Sequence, residues 1–395
     1  MEHFFVSCPR GLEPLLSEDL VSAGAKDIQA IQGGAHFSGS WKTCYSVNLH
    51  SRIATRVLWR VKQAAYRNEQ DIYRIALDLP WSDWFDVNHT IRVYVSASKS
   101  PLKSLDFATL RIKDAICDKF RLSSGGRPNV DTQIPDIRIH AFLDATSITV
   151  YLDTSGEPLY KRGLRKSKNI APLHENLAAG ILRLAGWNSD IPLLDPMCGS
   201  GTFLLEAVQI GLNIAPGIGR HFGFEKLKNF DANAWQKLRD ESIHKQKPVT
   251  LLPIYGSDLH GKALQAAQDN FADAGLIEAL HLKQANMLEV SAPIETGILV
   301  TNPPYGVRTG EQKELAELYP KLGDLFKQKF AGWSCYILTA DLRLPKLIRL
   351  KTSRRIPLFN GALECRLYEY KMVEGSMRRK KQEVGETVEE VKGEE

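Results

Sequence analysis

Leu193-Leu194-Asp195 runs into Pro196-Met197-Cys198-Gly199-Ser200-Gly201-Thr202 and then Phe203-Leu204-Leu205-Glu206-Ala207-Val208. This stretch narrows the possible folds of the chain more than any other. The apolar run after Pro192 reads as a buried parallel strand, the glycines as a sharp turn, and the apolar periodicity beyond Thr202 as a helix. Glycine is wanted where backbone turns tightly against a ligand, and the free N–H groups of a helix start attract electron-rich groups. Residues 195–202 therefore form a candidate cradle for a nucleotide-like cofactor. Gly199-x-Gly201 lacks the third spaced glycine of the dinucleotide fingerprint, so it acquires meaning only with partners elsewhere.

One such partner lies about a hundred residues on. Gly297-Ile298-Leu299-Val300-Thr301 is another buried-strand run, and it ends in Asn302-Pro303-Pro304-Tyr305-Gly306. Two consecutive prolines forbid both helix and ladder, so the chain leaves the strand along an extended path. The Asn302 side-chain oxygen, the Pro303 carbonyl and the Tyr305 ring then supply two acceptors and a stacking face. A planar base with an exocyclic amino group requires that combination.

Between and around these corners, strands alternate with helices. Pro253 to Asp258 reads as a strand ending in a carboxylate, Ala263 to Ala274 as a helix, His281 to Met287 as a strand with its exit loop, and Ser334 to Thr339 as a further buried strand. The helix Leu173 to Leu184 leads into the first strand, and a long insertion occupies roughly 211–248. This alternation implies a doubly wound, mostly parallel sheet. Its ligands belong outside the carboxyl ends of the strands, where Asp195, Asp258, Asn286 and Asn302 fall. Asp258 can accept both hydroxyls of a ribose; capping of the following helix is its other role. Cys198 suggests a nucleophile, but an amino nitrogen needs no thiol adduct, so it reads as a small turn residue.

The first 150 residues follow a different pattern. Phe4 to Val6, Ile28 to Ile31 and Ala35 to Phe37 read as strands around a helix from Leu12 to Ala23. Ser51 to about Lys62 alternates basic and apolar positions at helical spacing, with Arg52, Arg56, Arg60 and Lys62 projecting away from Ile53, Val57 and Leu58. Thr90 to Val95 is a half-buried strand, Leu110 to Arg121 an amphipathic helix, and 136–143 with 147–152 an antiparallel hairpin. After it, Lys161-Arg162-Gly163-Leu164-Arg165-Lys166-Ser167-Lys168 places five basic residues in eight positions. That run is either a solvated linker or a hinge in which Lys161, Arg162, Arg165, Lys166 and Lys168 grip phosphates.

Composition limits the remaining choices. The 395 residues suit two or three domains, and a net charge of +5 is mild. No apolar run reaches membrane-spanning length, and the start lacks a basic leader, so a cytoplasmic protein is expected. Six cysteines without a Cys-x-x-Cys pair or a histidine at ligand spacing argue against zinc and disulfides, and no metal is expected. After about Glu374, Arg378-Arg379-Lys380-Lys381 precedes a glutamate-rich end that reads as disordered.

Asp195-Pro196-Met197-Cys198-Gly199-Ser200-Gly201-Thr202 with Asn302-Pro303-Pro304-Tyr305-Gly306 resembles the S-adenosylmethionine-dependent amino-methyltransferases. Arg10-Gly11-Leu12-Glu13, Gln32-Gly33-Gly34, Arg127-Pro128-Asn129-Val130-Asp131, Pro135-Asp136-Ile137-Arg138 and Ala171-Pro172-Leu173 narrow the likeness. In that order they resemble the bacterial 23S rRNA guanine-N2-methyltransferases that carry a THUMP domain, over about residues 4–370. The resemblance implies an α/β protein with a ferredoxin-like piece (1–45), a THUMP RNA-binding domain (46–155), a basic linker (156–170), a Rossmann-like methyltransferase domain (171–374) and a charged tail (375–395). It implies S-adenosylmethionine as cofactor, S-adenosylhomocysteine as product and RNA, chiefly 23S rRNA, as partner. Members often continue into a second methyltransferase domain that is not seen here, so only the first activity is expected.

The implied roles follow residue by residue. Asp195 to Thr202 would cradle the cofactor, Asp258 would hold its ribose, and Asn286 or the Met287 backbone would receive the adenine amino group. Asn302, Pro303, Pro304 and Tyr305 would present a guanine 2-amino group for methylation. A tRNA guanine-N2-methyltransferase, an adenine-N6 DNA methyltransferase and a catalytically silent RNA-binding assembly factor are the competing readings.

Overall fold

A computed structural model describes residues 1–163, 173–304 and 311–373. Two seven-stranded sheets organise them. The first contains β1 (Glu2–Ser7), β2 (Lys26–Ile31), β3 (Gly34–Gly39), β4 (Arg56–Ala65), β5 (Ile91–Ala97), β6 (Ile137–Leu143) and β7 (Ser147–Asp153). Their order is β2-β3-β1-β4-β7-β6-β5, so the ferredoxin-like piece and the expected THUMP segment share one sheet. The helix Trp41–His50, capped by Ser40 Oγ accepting from the Thr43 N–H at 3.2 Å, runs across the boundary expected at residue 45. The 136–152 hairpin forms as expected, β6 antiparallel to β7.

The helical expectation for 51–62 fails. Arg56–Ala65 is a strand paired on one edge with β1 and on the other with β7. The apolar spacing of Ile53, Val57 and Leu58 mimics a helix, but two long-range ladders satisfy the backbone instead. Arg52 and Arg56 consequently do not project away. Arg52 Nη1 meets Glu206 at 3.2 Å, and Arg56 pairs with the fully buried Asp153 carboxylate.

The second sheet contains β8 (Leu193–Asp195), β9 (Ile254–Asp258), β10 (His281–Gln284), β11 (Gly297–Thr301), β12 (Trp333–Thr339), β13 (Arg354–Asn360) and β14 (Leu363–Lys371), in the order β10-β9-β8-β11-β12-β14-β13. The first five of that order are parallel, and β14 and β13 are antiparallel. The expected α/β, mostly parallel sheet is thus present, with an antiparallel edge hairpin in addition.

Among the described residues the two sheets share one core. One buried apolar cluster runs from Phe4 and Val6 through Tyr45 and Phe224 to Leu204 and Ile254. The 211–248 insertion builds much of the seam: Phe224 lies 4.5 Å from Tyr45 and 5.1 Å from Trp235, and the helix Ala232–His244 packs beside them. Arg220 reaches back to the carbonyls of Ser155, Glu157, Pro158 and Lys161. Burial and the nearby Arg162 guanidinium push Arg220 down to about 10. Among the described residues no helix is long and apolar enough to cross a membrane.

Candidate active site

Parallel pairing decides which loops meet. Leu193 and Leu194 of β8 lie opposite Ile298 and Leu299 of β11, and Asp195 lies opposite Gly256 of β9. Asp258 in turn lies opposite Gln284 of β10. The exits of these strands follow one another along a single rim at spacings of roughly 4.8 Å. Reading across it, one meets Asn286, Asp258, the glycine turn after Asp195, and Asn302. The two corners singled out in the sequence therefore open side by side.

The glycine turn is braced from three directions. The Gly199 N–H donates to Asp258 Oδ2 at 2.9 Å, the Cys198 N–H to the Ser257 carbonyl at 2.9 Å, and Asn270 Nδ2 to the Ser200 carbonyl at 3.1 Å. Gly201, at φ +82°, caps the helix Thr202–Gly211, and a Cβ there would stand 3.1 Å from the Phe271 ring. A Cβ on Gly199, at φ +54°, would meet nothing within 4 Å. Gly201 is demanded by the protein's own packing, while Gly199 faces space in which a ligand can lie. Ser200 and Thr202 are buried; Met197 is half-buried. Burial raises the Cys198 thiol far above its ordinary range, which keeps it protonated and inert.

Two carboxyl groups stand at this turn. Asp195 is 2% exposed and accepts from the Met197 N–H at 3.2 Å. Burial, with the nearby Asp258 charge adding to it, pushes Asp195 up to about 8. Asp258 accepts from Gly199 with Oδ2 and from His260 N–H with Oδ1, at 2.9 Å each. Each Asp258 oxygen keeps a second lone pair for a ligand hydroxyl. Asn286 behaves differently, because its Oδ1 accepts from the Leu288 N–H at 3.0 Å and caps the turn Met287–Glu289. Met287 is buried.

On the other side of the turn, Asn302 is half-buried, and its Oδ1 has no hydrogen-bond partner among the described residues. A buried acceptor left open costs free energy unless a ligand supplies the donor. Pro303 is buried and Pro304 exposed. Tyr305 lies outside the described residues.

The basic run divides. Arg162 is 4% exposed, with Nε on Glu206 at 3.1 Å and its other nitrogens on the carbonyls of Leu159 and Arg52, so it is withdrawn from any phosphate. Its expected role is corrected to a structural one: a guanidinium with a buried carboxylate partner cannot also grip a nucleic acid. Lys161 is exposed and pairs with Glu157 at 2.7 Å. Arg165, Lys166 and Lys168 lie outside the described residues. Sequence reasoning missed Asn270, which braces the turn from the following helix, and Glu206, which is wholly buried one helical turn past Thr202. A carboxylate inside an otherwise apolar helix face was the available signal for Glu206.

Residues 162–369 match the family model described as RMKL-like, methyltransferase domain, residues 66–153 the THUMP domain, and residues 3–58 the RlmL ferredoxin-like domain. The ribosomal RNA large subunit methyltransferase K/L of Psychromonas ingrahamii is 38% identical over 378 residues, covering 94% of this chain and 50% of that protein. Its counterpart in Shewanella pealeana is 37% identical over 384 residues, covering 96% and 54%. The chain thus spans about half the length of these relatives. A Synechocystis protein named "Putative RNA methyltransferase slr0064" is 35% identical over 370 residues, covering 93% of this chain and 96% of its own. Among solved structures, SMU.472 complexed with SAH superposes with a TM-score of 0.85 at 30% identity, covering 95% and 99% of the two chains. A Listeria monocytogenes protein titled as an N6-adenine-specific DNA methylase gives 0.84 at 28% identity, covering 94% and 96%.

Proposed function

The chain belongs to the RMKL-like methyltransferase family with THUMP and RlmL-type ferredoxin-like modules, and from that premise we propose that it methylates the exocyclic 2-amino group of a guanine in large-subunit ribosomal RNA. S-adenosylmethionine, the methyl donor of this family, supplies an electrophilic methyl group when bound. The described residues fit it: the space over Gly199, the positive end of the helix Thr202–Gly211, and the spare lone pairs of Asp258 suit a nucleoside with a charged tail.

The observation that carries the reading is the open Asn302 Oδ1 beside the glycine turn. An amino group donating to that oxygen and to the Pro303 carbonyl is held with its nitrogen lone pair turned out of conjugation with the ring. As positive charge develops on the nitrogen, both acceptors stabilise it. Positioning supplies most of the rate, and no strong general base is required, since the proton can leave after transfer. The target base leaves its stack to reach the rim, and Tyr305 would lie against it. Lys161, Arg165, Lys166 and Lys168 would contact RNA phosphates. Asn286 would contribute its remaining acceptor capacity to the adenine end of the cofactor, together with the Met287 backbone.

The test is direct. Incubation with isotopically labelled S-adenosylmethionine and either protein-free 23S rRNA or bulk tRNA, followed by nucleoside mass spectrometry, should place the label in N2-methylguanosine from rRNA. Label in tRNA alone, or in N6-methyladenosine, would replace this reading; absence of label with absence of cofactor binding would revive the assembly-factor alternative.

A further inference from the structure

Three stretches singled out in the sequence have no part in the chemistry above: Arg10-Gly11-Leu12-Glu13, Gln32-Gly33-Gly34, and the segment around Leu173. The fold brings them together. Glu13 accepts from the Gly11 N–H with Oε2 and from the Gly33 N–H with Oε1, each at 2.8 Å. Gly11, at φ +91°, lies so near the β13–β14 hairpin that a Cβ would stand 2.5 Å from the Pro357 carbonyl oxygen. Between the N-terminal sheet and that hairpin a cleft of about 450 Å³ remains, its walls including Arg10, Gly33, Tyr160, His174 and Phe359.

The walls combine flat rings with a cation. Tyr160 and His174 stack at 4.1 Å with 5° between their planes, and the exposed Arg10 guanidinium lies 5.4 Å from the Phe359 ring centroid. The cleft also shares a rim with the candidate active site. The turn of the hairpin, where Asn360 faces Leu363, lies at the end of the sheet at which β12 terminates in Thr339. Three strand spacings across the sheet and five residues along it separate that turn from the end of β11, roughly 22 Å.

We propose that this cleft binds an unpaired nucleotide of the substrate RNA a few nucleotides from the target base, its base against the aromatic walls and its phosphate on Arg10. The proposal rests on the reading of the rim as an RNA methyltransferase site and adds to it a second point of contact. Aromatic rings stack on any nucleobase, and a guanidinium beside them matches the phosphate. Single-stranded segments are the form of RNA in which bases are free to enter such a cleft.

The experiment titrates the full chain with a fluorescein-labelled single-stranded RNA decamer of mixed sequence and reads anisotropy across a salt series. Phe359→Ala and Tyr160→Ala should each weaken binding about 10-fold. Arg10→Ala should weaken it and lower the slope of log affinity against log salt by about one. Phe359→Leu, which keeps apolar volume in the wall, guards against misfolding and should bind as weakly as Phe359→Ala; thermal melting of each variant checks the fold. A 4-thiouridine decamer should crosslink to Tyr160, His174 or Phe359. Affinities and slopes equal to wild type in these variants, or crosslinks confined to a separate concavity on the N-terminal sheet whose lining includes His36, Arg60 and Tyr151, would overturn the proposal. Decamer binding requires no methyl transfer, so its failure is distinguishable from failure of the activity, which shows as absence of label in rRNA.

Discussion

Leu299 of β11 stands opposite Leu194 of β8 in a parallel ladder. From β8 the chain winds outward through β9 and β10, then returns to the other side of β8 as β11 and winds outward through β12. The direction of winding reverses between these two leucines, and a crevice opens where it does. The glycine turn and Asn302 border that crevice because they follow the two strands directly.

Asp258 ties the glycine turn to the next strand through the Gly199 N–H and is proposed to hold the cofactor ribose. Asp258→Ala removes a charge-assisted hydrogen bond, worth about 1.5–3 kcal/mol, as well as the ligand contact. Affinity for S-adenosylmethionine by isothermal titration calorimetry should fall at least about 10-fold. An unchanged affinity would take Asp258 out of the site.

Asn302→Ala removes the open acceptor while leaving the glycine turn intact. Single-turnover methylation should fall about 10²–10³-fold, the scale of losing one preorganised group that stabilises developing charge. Cofactor affinity should change little. Turnover close to wild type would refute the assignment of Asn302.

Asp195 makes stability depend on pH in a direction opposite to that of most carboxylates. Its folded-state value, about 8, lies above the ordinary value of about 3.9, so between them the folded state holds a proton that the unfolded state has lost. Stability from this group is therefore full below about pH 4, declines as pH rises toward 8, and is flat beyond. Urea denaturation at pH 5, 7 and 9 should show a decline for wild type that Asp195→Asn lacks. Parallel pH profiles for the two proteins would contradict this account.

Glu206 meets both Arg52 and Arg162 at the seam between the modules. Glu206→Ala leaves two guanidinium groups there without their carboxylate, and removing one partner of a buried ion pair costs about 3–5 kcal/mol. The midpoint of chemical unfolding should fall accordingly. A loss below about 1 kcal/mol would mean that water replaces the carboxylate.

Features written in local pattern were legible before the structure. The apolar runs ending at Asp195, Asp258 and Thr301, the glycines at 199 and 201, and the prolines at 303 and 304 each restrict their own backbone, so strands, turn and exit path followed from neighbouring residues alone. Because alternating strands and helices wind into a parallel sheet, even the rim that gathers Asp195, Asp258, Asn286 and Asn302 could be read from them. Tertiary structure alone decided the fate of the charges and of one strand. Arg52 and Arg162 find Glu206 154 and 44 residues away, and nothing adjacent to either marks it as buried. Arg56–Ala65 became a strand because β1 and β7 offered it partners on both edges, against a spacing that suited a helix. The raised Asp195 and the cleft at Arg10 likewise arise from surfaces brought together over long stretches of chain. Burial and pairing belong to such meetings, and a linear sequence carries them only through the fold that it forms.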